Sequence, residues 1–174
     1  MLRAIQRLGG DCDIAGALAD TLTLTFEQRQ RGRLKVLGAS GGEIGLFLDR
    51  GPVLRDGDCL ATEDNQIVLI RAADEPVVTA YVASGLPLAR LCYHLGNRHV
   101  PLAIGETEDG QGYVRFQPDH VLEALAERLS ARLEHHEGPF DPEPGAYAAG
   151  EGHNHGHHAH GHSHSHDHVH AHEH

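Results

Sequence analysis

A chain of 174 residues with 14 Lys and Arg against 25 Asp and Glu carries a formal net charge of −11. With no basic tract to track phosphates, nucleic acid is excluded as an expected partner. The length fits one ordinary domain or two small ones, and the seventeen histidines make the true charge strongly pH-dependent near neutrality.

The opening segment MLRAIQRLGGDCDIAG has no apolar core of signal-peptide length, and no later stretch approaches the ~20 apolar residues of a transmembrane helix. The expectation is a soluble cytoplasmic protein that does not engage a membrane. Cys12, Cys59 and Cys92 are far apart and have no CxxC spacing, so reduced structural thiols are expected, not a disulfide framework or a thiolate zinc site.

From Thr21 to Phe26 the run TLTLTF alternates apolar and hydroxyl residues, and RLKVL, EIGLFL and QIVLIR repeat strand-like runs between Gly and Asp-rich turns. Residues 1–72 therefore read as a small all-β domain. Gly38, Gly41, Gly42 and Gly45 cluster with no Lys-Ser or Lys-Thr after them and with strand-like runs on both flanks, which reads as a hairpin turn and not as a phosphate cradle.

After Ala72-Ala73-Asp74-Glu75 the rhythm changes. PVVTAYV reads as a strand, and LPLARLCYHLG has apolar residues at helical spacing, with Pro87 near its start and Gly96 at a cap-like end. VPLAIGE and GYVRFQ read as strands joined by a turn at Asp109-Gly110. Pro118-Asp119 then opens a second helix, HVLEALAERLSARL, with Val121, Leu122, Leu125, Leu129 and Leu133 on one face. LEHHEGPF closes the series as a strand. The order β-α-β-β-α-β is the split βαβ arrangement of ferredoxin-like domains. The expected class is α+β, with a C-terminal ferredoxin-like domain over residues 73–148.

Residues 149–174 hold twelve histidines within the last 22 positions, interleaved with Gly, Ala, Ser and Asp. Such a tail has almost nothing to bury and is expected to be disordered without a ligand. Neutral imidazole suits Ni, Zn and Cu, and from His160 to His174 a ring recurs at every second position. Weak, interchangeable binding of several ions is expected, because each site must order flexible chain.

Five histidines precede the tail: His94, His99, His120, His135 and His136. If the helix continued past Gly96, His94 and His99 would stand about 140° apart, so they do not read as a local chelate. His99 falls at a helix-to-strand junction, where a two-fold partner could supply an equivalent ring. His94 reads as a structural or supporting residue. His135 and His136, adjacent in a strand, point to opposite faces. Asp119-His120 reads as a helix cap beside a surface residue; no nucleophile accompanies it, and no enzyme is expected.

Four stretches carry a resemblance: RGRLKVLGASGGEIGLFLDRGPVLRDGD, AYVASGLPLARLCYHLGNRHVPLAI, PDHVLEAL and PFDPEPGAYAAGEGHNHGHH. Together they resemble the UreE family of urease accessory proteins, nickel metallochaperones, over essentially the whole chain. YHLGNRHVPL and GPFDPEPGAY before a His tail are specific to that family. The resemblance implies an N-terminal domain similar to a peptide-binding domain of chaperones, and a ferredoxin-like metal-binding domain that forms a homodimer. It implies that His99 binds Ni(II) at the dimer interface with its symmetry mate. His120 is implied to take part in a secondary site, although Pro118 stands where some members carry another His. His153 and His155 are implied to close over the interfacial ion, and His157 and His158 follow directly as further metal ligands.

The implied activity is delivery of nickel for urease active-site assembly by ligand exchange, in company with the urease apoprotein and other accessory proteins, including the accessory GTPase. Nickel itself rests on the resemblance, since Cu(II) generally binds imidazole more tightly and Zn(II) competes. The alternatives are a cytosolic store for transition metals and an adaptor that adds a peptide strand to an open sheet edge.

Overall fold

The structure, a computed structural model, describes residues 1–10 and 17–144. The expected His-rich tail lies outside the described residues.

The N-terminal half is a six-stranded sheet with one short helix. Its elements are β1 (Leu2–Gly9), β2 (Leu18–Leu24), α1 (Phe26–Arg29), β3 (Arg33–Leu37), β4 (Glu43–Phe47), β5 (Cys59–Thr62) and β6 (Ile67–Ala72). The strand order is β2-β6-β5-β1-β4-β3, with β1 parallel to β4, β2 parallel to β6 and the remaining pairs antiparallel. Leu22, Leu24, Ile44, Leu46, Leu60, Val68 and Ile70 form its core. Gly38, Gly41 and Gly42 join β3 to β4, while Gly45 lies within β4: Gly38 N–H donates to Gly42 O at 2.8 Å, and Gly41 takes a φ of 82°, which only glycine adopts without cost.

Two strands and a helix went unread in the sequence. β1 alternates poorly, β5 has only four residues, and Phe26 begins α1 instead of ending a strand. The helix starts there because Thr25 and Gln28 form a capping box: the Thr25 side chain accepts from Gln28 N–H, and Gln28 Oε1 accepts from Thr25 N–H.

The C-terminal half contains β7 (Asp74–Ala83), α2 (Leu86–Gly96), β8 (Ala103–Glu106), β9 (Gln111–Phe116), α3 (His120–Arg128) and β10 (Arg132–Pro139). Its four strands lie in the order β10-β7-β9-β8, each antiparallel to its neighbour. Both helices pack onto the sheet, burying Leu91, Leu95, Leu122 and Ala126 against Val78, Ala80, Val114 and Phe116. The chain is thus α+β, built mainly of strands in two sheets.

α3 is shorter than its periodicity predicts. It stops at Arg128, Ser130 takes a left-handed φ of 64°, and Leu133 belongs to β10. The cysteine expectation also needs correcting. Cys92 is a free thiol, half-buried, with its pKa pushed up by that burial, but Cys59 is disulfide-bonded. Widely spaced cysteines carry no pairing signal, because the fold and not the spacing decides which sulfurs meet.

The two sheets meet through a small aromatic core. Phe26 packs edge-on against Phe140 with ring centroids 5.1 Å apart, and Val77 is buried with them. Glu75 Oε1 accepts from Phe26 N–H at 2.7 Å, which ties α1 to the start of β7. Since Phe140 is fully buried, Phe140→Ala is expected to destabilise the fold by about 3 to 5 kcal/mol. Urea denaturation followed by circular dichroism would measure the loss.

Candidate metal centre

α2 forms where apolar residues recur at helical spacing behind Pro87, which supplies a fixed φ at the first turn. Leu91 and Leu95 face the core, whereas Leu86 and Tyr93 point outward, 63% and 65% exposed. The helix is tightened as it ends: Asn97 N–H donates to Tyr93 O at 3.1 Å, Arg98 N–H to Leu95 O at 3.0 Å and His99 N–H to Gly96 O at 2.9 Å. His99 then turns the chain with a φ of 55°. The turning residue is therefore His99 and not Gly96, and histidine is among the side chains that tolerate this region best.

This turn leaves His99 exposed at the edge of a cavity of about 340 Å³. Phe26, Pro52 and Val53 wall it from the N-terminal half. Val100, Pro101 and the stretch from Asp141 to Pro144 complete it. Among the described residues no hydrogen bond engages the His99 ring, so both nitrogens remain available to a ligand. Asp141 and Glu143 bring carboxylates to the cavity, and Arg55 brings one cation. Sequence reasoning missed these three, which no local spacing connects to His99.

His120 is the first residue of α3 and is exposed. Asp119 caps the helix, accepting from Val121 N–H at 2.8 Å and Leu122 N–H at 3.0 Å. The Leu122 and Val121 amides hold the Asp119 carboxyl below its usual pKa. A second cavity of about 190 Å³ is lined by Val100 and Pro101 on one side and Pro118 and Asp119 on the other. The segments carrying His99 and His120 therefore share one end of the C-terminal sheet.

The other histidines are occupied differently. His94 is exposed, its ring edge-on to Tyr93 at 5.2 Å. His135 Nε2 lies 3.0 Å from Glu123 Oε2, while His136 Nε2 lies 2.8 Å from Thr79 Oγ1. Adjacent in β10, these two rings engage different elements. Among the described residues no three His, Cys, Asp or Glu side chains converge as a metal site. His153, His155, His157 and His158 lie outside the described residues.

Comparison with known proteins gives two family matches: the N-terminal domain of UreE urease accessory protein over residues 1–73, and its C-terminal domain over residues 75–174. The urease accessory protein UreE of Pseudoalteromonas translucida is 62% identical over 138 residues, covering 79% of this chain and 81% of that protein. That of Marinobacter nauticus is 61% identical over 138 residues, with 76% of each chain covered. The UreE of Proteus mirabilis is 49% identical over 127 residues, covering 73% of this chain and 76% of its own.

Proposed function

Because the chain belongs to the UreE urease accessory protein family, we propose that it is a nickel metallochaperone, binding Ni(II) through histidine and passing it on for assembly of the urease active site. Nickel is cargo here, carried and released by ligand exchange, and no bond of a substrate is made or broken. The observation that carries this reading is His99: an exposed, unengaged imidazole on a left-handed turn, beside the stretch from which the histidine-rich segment departs.

One imidazole makes a poor site, so the reading needs more rings. A homodimer supplies them, since a residue on a two-fold axis meets its own copy. Leu86 and Tyr93, outward on α2 and ending at the His99 turn, give such a contact an apolar surface. The first tail histidines, His153, His155, His157 and His158, add donors over the ion, and His120, at the same end of the fold, serves a secondary site. Zn(II) and Cu(II) compete for the same ligands.

In this reading the N-terminal sheet, residues 1–72, docks extended peptide. Residues 73–148 are the ferredoxin-like metal-binding and dimerisation domain, supported by the strand order β10-β7-β9-β8, and residues 149–174 are the metal-collecting tail. The partners are the urease apoprotein and the other accessory proteins, including the accessory GTPase, in the cytoplasm. Among the described residues no helix is long and apolar enough to cross a membrane.

Protonated imidazole cannot ligate, so nickel capacity should be full above a reference imidazole pKa of about 6.5 and fall as acid protonates the rings. Nickel titrations at several pH values test this. Capacity unchanged well below pH 5 would exclude capture by histidine.

A further inference from the structure

Most cations of the N-terminal half have a carboxylate partner. Arg3 pairs with Glu63, Arg31 with Glu27, Lys35 with Glu43 and Arg71 with Asp56, while Arg29 and Arg55 share Asp141. The other cations of residues 1–72 are Arg7, Arg33 and Arg50, and among the described residues none of them has such a partner. All three line one cavity of about 380 Å³. Solvation accounts for a single exposed arginine. It does not account for three like charges drawn together against their own repulsion in a chain of net charge −11.

Two close approaches build the cavity. Leu48 N–H donates to Gly32 O at 2.8 Å, and a Cβ on Gly32 would stand 2.8 Å from Leu48 O, so a side chain there would force apart the segments flanking β3 and β4. Arg7 Nη1, from β1, donates to Asp49 O at 2.6 Å, and a Cβ on Gly51 would stand 3.0 Å from the same nitrogen. The half-buried Arg7 guanidinium is thereby held against the loop that carries Arg50. Arg33, the first residue of β3, and Arg50 are exposed. Arg7 Nε is shut off from solvent and has no acceptor among the described residues, and an unmatched N–H of a buried cation is costly.

Asp49 is the one acidic residue bordering the cavity, so three guanidinium charges face one carboxylate, an excess of two. A carboxylate ligand would cancel half of that excess. A phosphate group carries about −1.5 to −2 at neutral pH, and its oxygens match the forked donors of guanidinium. We propose that Arg7, Arg33 and Arg50 form a binding site for a phosphate group, as the free ion or as the phosphate of a small monoester. The site shares no residue with the His99 cavity and stands or falls separately from the nickel reading.

Calorimetric titration of the metal-free full chain with inorganic phosphate, AMP and adenosine tests the proposal. It is run at low salt and about pH 8, where imidazoles with a reference pKa of about 6.5 are neutral and do not attract the anion. Phosphate and AMP should each bind at one site per chain, and adenosine should not bind. Arg33→Gln and Arg50→Gln should each weaken binding about tenfold, the loss of one charge-assisted contact. Arg31→Gln removes the same charge two residues from Arg33 but outside the cavity, and should change binding less than about twofold.

AMP binding no tighter than phosphate identifies the ligand as the free ion, and tighter AMP binding identifies a phosphomonoester; either upholds the site. Failure of both to bind overturns it, as does adenosine binding as well as AMP. Binding unchanged in Arg33→Gln and Arg50→Gln places the anion elsewhere and also overturns it. Equal weakening by Arg31→Gln reduces the effect to general charge, with the same consequence. Neither Arg33 nor Arg50 has a side-chain bond within the described residues to lose, so both variants should keep the native circular dichroism; should one fail to fold, the other decides.

Discussion

His99→Ala, in a chain ended after Gly150, should abolish the tight binding of about one nickel per dimer, with affinity falling by more than roughly 100-fold. One substitution removes both rings of a site on a two-fold axis, so the loss exceeds the 10- to 100-fold typical of losing an outer partner. The fold should tolerate the change, since the His99 side chain is exposed and unengaged among the described residues. His94→Ala should cost less, because that ring lies within α2, contacts Tyr93 and can at most orient neighbours. Calorimetric titration compares the two, with circular dichroism to exclude misfolding. A well-folded His99→Ala protein that binds nickel as before would mean that the tail alone holds the metal, and the metal-store reading would replace the chaperone site.

Ending the chain after Gly150 is expected to have the second largest effect. It removes all twelve tail histidines and with them most of the nickel capacity. Among the described residues the cores of both sheets are built from residues before Glu143, so the fold should persist and the dimer with it. Equilibrium dialysis measures the capacity and sedimentation the oligomer. Unfolded monomers from the shortened chain would contradict a dispensable tail.

Which parts of this fold could be read in advance depended on how local their signals are. The bounds of α2 were legible because Pro87, the helical spacing of Leu88, Leu91 and Leu95, and Gly96 all act within the helix itself. The end of α3 was not. Leu129 and Leu133 continue the apolar rhythm, but Leu133 sits in β10 opposite Ala80 and reaches the same core from a strand. No Gly or Pro announces the change, which is made by Ser130 in a left-handed conformation. β1 gave little signal because Ile5 and Leu8 point to solvent while Ala4 is its buried residue.

The site divides in the same way. The helix-to-strand junction that carries His99 was legible from the helical spacing before it and the strand-like run after it. The cavity beside it was not, because Phe26, Pro52, Arg55 and Asp141 come from distant parts of the chain and meet only when the sheets pack. Arg29 gave no hint of burial, since an arginine at the end of a short polar helix ordinarily faces water. In the fold its guanidinium lies 5.7 Å from the centre of the Phe26 ring, with Asp141 and the Leu54 and Phe140 carbonyls as its hydrogen-bond partners.

The central claim is that His99 from two chains meets at one nickel ion. Diffraction from crystals of the full chain loaded with one nickel per dimer, with anomalous data at the nickel edge, tests it most directly. The account predicts a single strong anomalous peak on the two-fold axis, within coordination distance of His99 from both protomers. Nickel found elsewhere, with the two His99 side chains far apart in the dimer, would contradict it.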